Sequence, residues 1–428
     1  MPPGLALRII AATRLTGVLS GGQFAPIGAA ELPDGRDRAL ANRLVTTALR
    51  RHGHLNLMLE RYLERGVPKK SGSFEALLRL SLAQLLYLPE LGEHSALFLA
   101  VEAAKRDSKA QHLGKLLNAV LRRAQGEADM LRTAPAELLF PEPLRRDWQA
   151  AYGHAAVIDF GAAMLAGAPL DLTLRDDDPA LVEALGAAPV VYDSVRIAER
   201  DHPVEKLPGF AEGRWWVQDA AAALPARLLG LPQGARVLDL CAAPGGKTAQ
   251  LVKAGYQVTA LDNDRQRLER LEANLGRLGY AAEIVEADGI AWRPEQRFDG
   301  ILLDAPCSAT GTFRRHPEVV WHRDAADIAG RSAIQRRFIH AAKECLNPGG
   351  VLLYCVCSLE PAEGEEQARW IASSVPDLLA DPIGEAELSE LADAVTPTGE
   401  VRTHPGMPVP GEKGGTLDGF FIARFRRR

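Results

Sequence analysis

The chain has 428 residues, long enough for two or three packed domains, because single cores seldom grow past about 250–300 residues. Hydrophobic residues make up 47% and charged residues 25%, the balance of an ordinary globular protein, and no run reaches the roughly 18 apolar residues of a membrane span. A formal net charge of -5 argues against a protein that coats nucleic acid without specificity.

The charge is unevenly placed. Residues 1–130 hold 18 Lys and Arg against 12 Asp and Glu, a net +6, which leaves -11 for the remainder. Such a segment is either a solvated helical surface or the footprint of an anionic partner. The start, MPPGLALRIIAATRL, has no long apolar core, so a cytoplasmic location without a membrane is expected. Apolar residues recur at three-to-four spacing over 38–64, 74–88, 94–106 and 113–125, which predicts a bundle of about six helices. A second helical stretch, 135–167, precedes strand-like pieces around a helix in 169–200, a small helical and α+β linker. From 205 the strands ARVLDL, QVTALD, AEIVEAD, FDGILLDAP and GGVLLYCVC alternate with helices, and LDGFFIARFRRR ends the chain as a strand. This order predicts an α/β domain with a mostly parallel sheet covered on both faces. The expected division is 1–135, 136–204 and 205–428.

Ligands in open α/β sheets sit outside the C-terminal strand ends. The first end carries DLCAAPGGKT, in which Gly245 and Gly246 would let backbone approach a ligand closely. The spacing is neither that of a P-loop nor that of a dinucleotide fingerprint. Four strand ends in succession carry an aspartate: Asp239, Asp262, Asp288 and Asp304. Asp262 lies where a carboxylate accepts both ribose hydroxyls, and Asp288 could take a hydrogen bond near an adenine. An adenosine-containing ligand without phosphates fits this set, which points to S-adenosylmethionine. All five cysteines, Cys241, Cys307, Cys345, Cys355 and Cys357, lie in this half without disulfide or zinc spacing, so a reduced chain with no metal is expected.

The stretches VLDLCAAPGGKTAQL, DAPCSATGTFRRHPEVVW and YCVCSLEPAEGEEQ resemble the RNA cytosine-5 methyltransferases of the Sun/Fmu group, and the front half resembles the NusB-like RNA-binding domain fused to the bacterial small-subunit enzymes. The resemblance implies a Rossmann-like catalytic domain behind an all-α NusB-like bundle. It implies donor contacts from Cys241, Ala242, Ala243, Pro244, Gly245, Gly246, Lys247, Asp262, Asp288 and Asp304, with Arg267 a further contact. Methylation at C5 needs a thiolate that adds at C6, an acid near N3 and a base. Cys307 and Cys357 both sit at strand ends, and the residues alone do not separate them. DNA enzymes use a Pro-Cys cysteine, which would be Cys307. The RNA family uses the later cysteine, here Cys357, and associates the Pro-Cys cysteine with product release. The later motif usually reads Thr-Cys, where this chain has Val356. Asp304 is the expected acid, made so by burial.

TFRRHPEVVWHR places Arg314, Arg315, His316 and Arg323 beside Trp321, a pattern that suits phosphates of looped or single-stranded RNA. The resemblance, through its NusB-like front half, implies a cytosine of small-subunit (16S) ribosomal RNA as the expected substrate. Transfer RNA or another ribosomal site is the alternative substrate, and a non-catalytic RNA-binding assembly factor is the alternative without chemistry. No obligate protein partner is inferred.

Overall fold

The computed structural model describes residues 1–198, 203–410 and 416–428, so the last two residues of the 169–200 segment lie outside the described residues. Two compact units emerge, Met1–Ala166 with Arg315–His322, and Gly167–Arg314 with Arg323–Arg428.

The first unit holds nine α-helices among the described residues: α1 (Leu5–Leu19), α2 (Gly35–Arg50), α3 (His52–Tyr62), α4 (Phe74–Tyr87), α5 (Glu93–Ala104), α6 (Gly114–Gly126), α7 (Ala128–Arg132), α8 (Glu142–Tyr152) and α9 (His154–Ala166). In α6, Leu117, Val120, Leu121 and Ala124 turn inward at three-to-four spacing, each large one adding about 1.5–3 kcal/mol of burial. Nearly all of α4 is buried, which makes it the central helix. The single helix expected over 38–64 is two helices that break at Arg51. Gly53 explains the break: a Cβ there would lie 2.1 Å from the Leu138 carbonyl, so the start of α3 rests backbone to backbone on the 136–139 turn. The stretches named by periodicity also left out α1, in which six apolar residues and Arg8 are buried.

The second unit contains two sheets. In the smaller, β1 (Leu170–Leu174), β2 (Ala188–Val191), β3 (Ser194–Ile197) and β4 (Trp215–Val217) run antiparallel in the order β2-β3-β1-β4. A short α10 (Pro179–Ala184) packs in the same region, and α11 (Leu224–Arg227) follows β4. The larger sheet is built from β5 (Arg236–Leu240), β6 (Gln257–Asp262), β7 (Glu283–Glu286), β8 (Phe298–Asp304), β9 (Leu346–Val356), β10 (Leu378–Ala380), β11 (Val401–Thr403) and β12 (Phe420–Arg427). Its order is β10-β12-β9-β8-β5-β6-β7, with β11 also paired to β12. Strands β5 to β9 are parallel, and β10, β11 and β12 join antiparallel at one side. Helices α12 (Gly246–Lys253), α13 (Arg265–Leu278), α14 (Ala325–Cys345) and α15 (Glu365–Ser374) connect them. The chain leaves β5 toward β6 and β7, then returns to β8 on the other side of β5. That reversal is the topological switch point at which α/β sheets open a ligand crevice.

The forces are local and legible. Asp264 caps α13 by accepting the Arg267 amide, and Leu268, Leu271, Leu275 and Leu278 form its buried stripe. β5 and β8 are buried along most of their length, as parallel strands covered on both faces must be.

Candidate active site

Ends of five adjacent parallel strands meet at one cleft of about 530 Å³. Cys241 follows β5, Asp262 ends β6, Asp288 stands two residues past β7, and Asp304 ends β8. Cys307 follows three residues later, and Cys357 stands just past β9. All six line the cleft, as does Arg267. Ala242, Ala243, Pro244, Gly245, Gly246 and Lys247 do not line it; they form the turn from β5 into α12. Leu261, Ile290 and Phe338 supply an apolar wall that no sequence pattern had singled out.

The turn is tightly determined. Ala242 donates its amide to the Leu261 carbonyl at 3.0 Å, and Gly245 donates to Ala242 at 2.9 Å. Gly245 has φ +100°, a conformation that disfavours any side chain, and its missing Cβ would lie 2.8 Å from Leu271 Cγ of α13. The expectation that Gly245 leaves space for a ligand is thus corrected: the space is already taken by α13. A Cβ on Gly246 would make ordinary contact with Gln218. Cys241 also has positive φ, +65°, and burial, followed by Asp304, Asp262 and Asp239, pushes its thiol above the ordinary range. It is no thiolate.

The four aspartates do different work. Asp239 is fully buried and accepts the Thr248 hydroxyl of α12 at 2.6 Å, while its Oδ1 has no partner. Burial pushes its carboxyl up to about 7, with Thr248 and Lys247 opposing and Asp304 and Asp262 adding. It braces the turn from behind β5. Asp262 accepts the Ala243 and Asp264 amides, both at 3.1 Å, and pairs with Arg267 at 3.4 Å. Arg267 also donates to the Ala243 carbonyl, which ties the turn to α13. Asp288 is exposed and accepts the Ile290 amide at 2.9 Å. Asp304 is not isolated by burial as expected; its side chain is 30% exposed and receives Lys247 Nζ at 2.7 Å. Burial alone would lower the Lys247 pKa, but the charge and hydrogen bond of Asp304 raise it and hold the ammonium protonated.

Cys307 Sγ and Cys357 Sγ lie 3.5 Å apart. The Cys357 carbonyl accepts the Gly311 amide at 3.1 Å, which pins the second thiol to the loop that carries the first. The hydrogen bond with Cys357, together with burial, raises the Cys307 thiol well above its ordinary value. Cys355 faces Asp304 at 3.7 Å, is fully buried and has its thiol raised by that burial. Val356 is fully buried in apolar packing, so the position beside Cys357 offers no hydroxyl.

The arginine-rich stretch is corrected. Arg314 is fully buried, donates to Asp219 at 2.8 Å and to Asp418 at 2.9 Å, and cannot reach a phosphate. Arg323 donates to the Ser308 carbonyl at 2.8 Å and lies 3.4 Å from Asp327. Residues 315–322 belong to the helical unit, where Trp321 packs on His52 with ring centroids 4.5 Å apart and Glu318 accepts the Phe24 amide at 3.0 Å. The segment QDAAAALPARLL contributes Asp219 to the Arg314 pair, and Gln218 bonds Gln250 of α12 at 2.8 Å.

Comparison with known proteins agrees with this geometry. The family described as "16S rRNA methyltransferase RsmB/F" matches residues 226–426, and the NusB family matches residues 11–126. The chain is 38% identical to "Ribosomal RNA small subunit methyltransferase B" of Xanthomonas campestris pv. campestris, covering 98% of this chain and 97% of that protein. It is 36% identical to the protein of the same name from Klebsiella pneumoniae, over 92% and 91% of the two chains. Among solved structures, PH0851 superposes with TM-score 0.80 at 20% identity over 100% of this chain and 99% of that one, a likeness of fold. The relative spanning nearly the full length, the matched family and the strand-end cleft agree: this chain belongs to the RsmB/F family of 16S rRNA methyltransferases and is an RNA (cytosine-5)-methyltransferase.

Proposed function

We propose that the chain methylates C5 of a cytosine in small-subunit (16S) ribosomal RNA, through a covalent bond between Cys357 and C6, with S-adenosylmethionine as donor. The observation that carries this reading is the pair of thiols 3.5 Å apart in the same cleft as three strand-end carboxylates. The cleft fits the donor by its chemistry. Carboxylates of Asp262, Asp288 and Asp304 suit a diol and positive charge, the wall of Leu261, Ile290 and Phe338 suits an adenine, and the volume lies within the range of about 300–1,000 Å³ for small-molecule sites. Cys241, Asp262, Asp288 and Asp304 would hold it from the cleft, with Arg267 and the 242–247 turn supporting them. When bound it supplies an electrophilic methyl group.

The protein's own residues do the rest. Cys357 as thiolate adds to C6 and makes C5 nucleophilic, which an unassisted cytosine C5 is not. Asp304 lines the cleft and is backed by the protonated Lys247 that donates to it, so it can serve charge developing at N3. Cys307 remains a thiol within 3.5 Å of the Cys357 sulfur, in the position to serve that sulfur's departure from C6 once a base has taken the C5 proton. The base must leave its stack to reach these groups, so a locally single-stranded cytosine is the substrate. Residues 1–135 act as the NusB-like RNA-docking part, 136–204 as the linker and 205–428 as the catalytic part, working in the cytoplasm.

Bisulfite sequencing of ribosomal and transfer RNA from cells with and without the gene tests the reading. One 16S cytosine that loses protection supports it. Loss confined to transfer RNA or another ribosomal site would reassign the substrate, and no change at any cytosine would reject methylation.

A further inference from the structure

We propose that Glu363 is the positioning residue that sets Cys307 and Cys357 against each other, acting through the serine that follows each cysteine. The inference rests on the reading that both thiols act in one reaction. Ser308 and Ser358 are both fully buried. Their hydroxyls donate to the same carboxylate oxygen, Glu363 Oε2, at 2.5 and 2.6 Å. Ser308 also donates its amide to Oε1 at 2.9 Å, so the backbone beside Cys307 is held as well as the side chain. Gln335 of α14 donates to Oε1 at 3.0 Å and to the Pro306 carbonyl at 3.2 Å, which fixes the other side of Cys307. The two serine hydroxyls lie 3.0 Å apart, and the Glu363 carbonyl accepts the Tyr354 hydroxyl from β9 at 2.6 Å.

One fully buried carboxylate therefore joins the loop after β8 to the loop after β9, at the residue next to each thiol. Burying a carboxylate is costly unless its acceptor sites are filled, and here they are filled from both thiol-bearing loops at once. A neutral amide at this node would put N–H donors where two hydroxyls now donate, so both serines would have to turn round to accept. The charge has a second consequence. It is a lesser cause that keeps Cys307 a thiol, after the hydrogen bond with Cys357, burial and the charge of Cys357. A residue that holds the serine beside each thiol acts on the chemistry without touching substrate.

Glu363→Gln in the full-length enzyme tests this with two readouts. The first is single-turnover formation of the covalent RNA adduct, on RNA whose target is 5-fluorocytosine so that the C5 substituent cannot leave. Adduct formation should slow at least about tenfold, as expected of a misplaced reacting group. Donor affinity and the KM for RNA should stay within about twofold, because Glu363 is fully buried and does not line the cleft. The second readout needs no RNA: phenylarsine oxide closes a chelate only on two adjacent thiols, and mass spectrometry locates it. Chelation of Cys307 with Cys357 should slow at least about fivefold in the variant, since both thiols must hold their places.

Wild-type rates in both assays would overturn the proposal. So would slowing matched by an equal loss of donor affinity, which would mark a general structural role. If the unmutated enzyme forms no adduct on the fluorinated RNA, the catalytic reading fails, while the arsenical comparison still decides whether Glu363 positions the thiols. If Glu363→Gln does not fold, Ser308→Ala and Ser358→Ala each remove one arm. Each should slow adduct formation by about threefold or more, and unchanged rates in both would reject the proposal.

Discussion

Replacing Asp239 by asparagine isolates the cost of keeping a carboxyl behind the donor turn. Asp239 is fully buried, its Oδ2 holds Thr248, and its Oδ1 has no partner. Its pKa rises from 3.8 to about 7, chiefly through burial. A carboxyl with a raised folded value gives its full stability below the unfolded pKa, and that stability is lost as pH rises through the folded pKa. At 1.36 kcal/mol per pKa step, the window between about pH 4 and pH 7 is worth roughly 4 kcal/mol at most. Asparagine keeps an oxygen for Thr248 and carries no charge at any of these pH values. The variant should match the wild type near pH 4 and exceed it by up to about 4 kcal/mol at pH 8. Urea unfolding at several pH values, followed by amide exchange on peptides from β5, reads the sheet-bearing unit directly. A difference between wild type and variant that is equal at pH 4 and pH 8 would refute the argument, as would a variant that loses stability relative to the wild type as pH rises.

Arg314→Ala should destabilise the protein by about 3–5 kcal/mol, because Asp219 and Asp418 would be left buried without their cation, and RNA affinity of the folded variant should change little; equal unfolding midpoints, or a selective RNA defect, would contradict the structural role. Asp262→Ala should weaken donor binding by roughly 1–3 kcal/mol, since the carboxylate both faces the cleft and holds the Ala243 amide, and an unchanged calorimetric affinity would reject its assignment. Lys115 and Arg122 project from the exposed side of α6, so reversing both to glutamate should weaken RNA binding and reduce its salt slope by about two, whereas an unchanged affinity and slope would place the RNA elsewhere. Truncation after residue 130 is a poorer test, because the helical unit runs on to Ala166 and α3 rests on the 136–139 turn.

Strand ends were the legible part of this chain. The run of apolar strands and intervening helices placed β5 in the middle of a parallel sheet, and each aspartate followed from its place at the end of a strand. Sequence spacing could not say which way a strand-end residue turns, so Asp239 looked equivalent to Asp262, yet it points into the packing under α12. The same limit hid the reason for Gly245, whose neighbour Leu271 comes from another helix. The joined helix over 38–64 failed because helical periodicity continues across Arg51 and only a tertiary contact at Gly53 breaks it. Arginines beside an aromatic suggested RNA, but Arg314 finds its carboxylates about a hundred residues away in each direction, at Asp219 and Asp418. Glu363 lay in a run with Glu360, Glu365 and Glu366, and composition does not tell which of four neighbouring glutamates is buried under two serines.

The central claim is that Cys357 attacks and Cys307 resolves, and one denaturing gel with labelled ribosomal RNA and donor tests it most directly. Serine in place of Cys357 has a hydroxyl far too weakly acidic to add at C6, so Cys357→Ser should give no covalent band and no turnover. Cys307→Ser should leave attack intact and slow departure, so a band that resists reducing agent should accumulate. A band in the Cys357 variant and none in the Cys307 variant would reverse the roles, and normal turnover in the Cys357 variant would remove that residue from the mechanism.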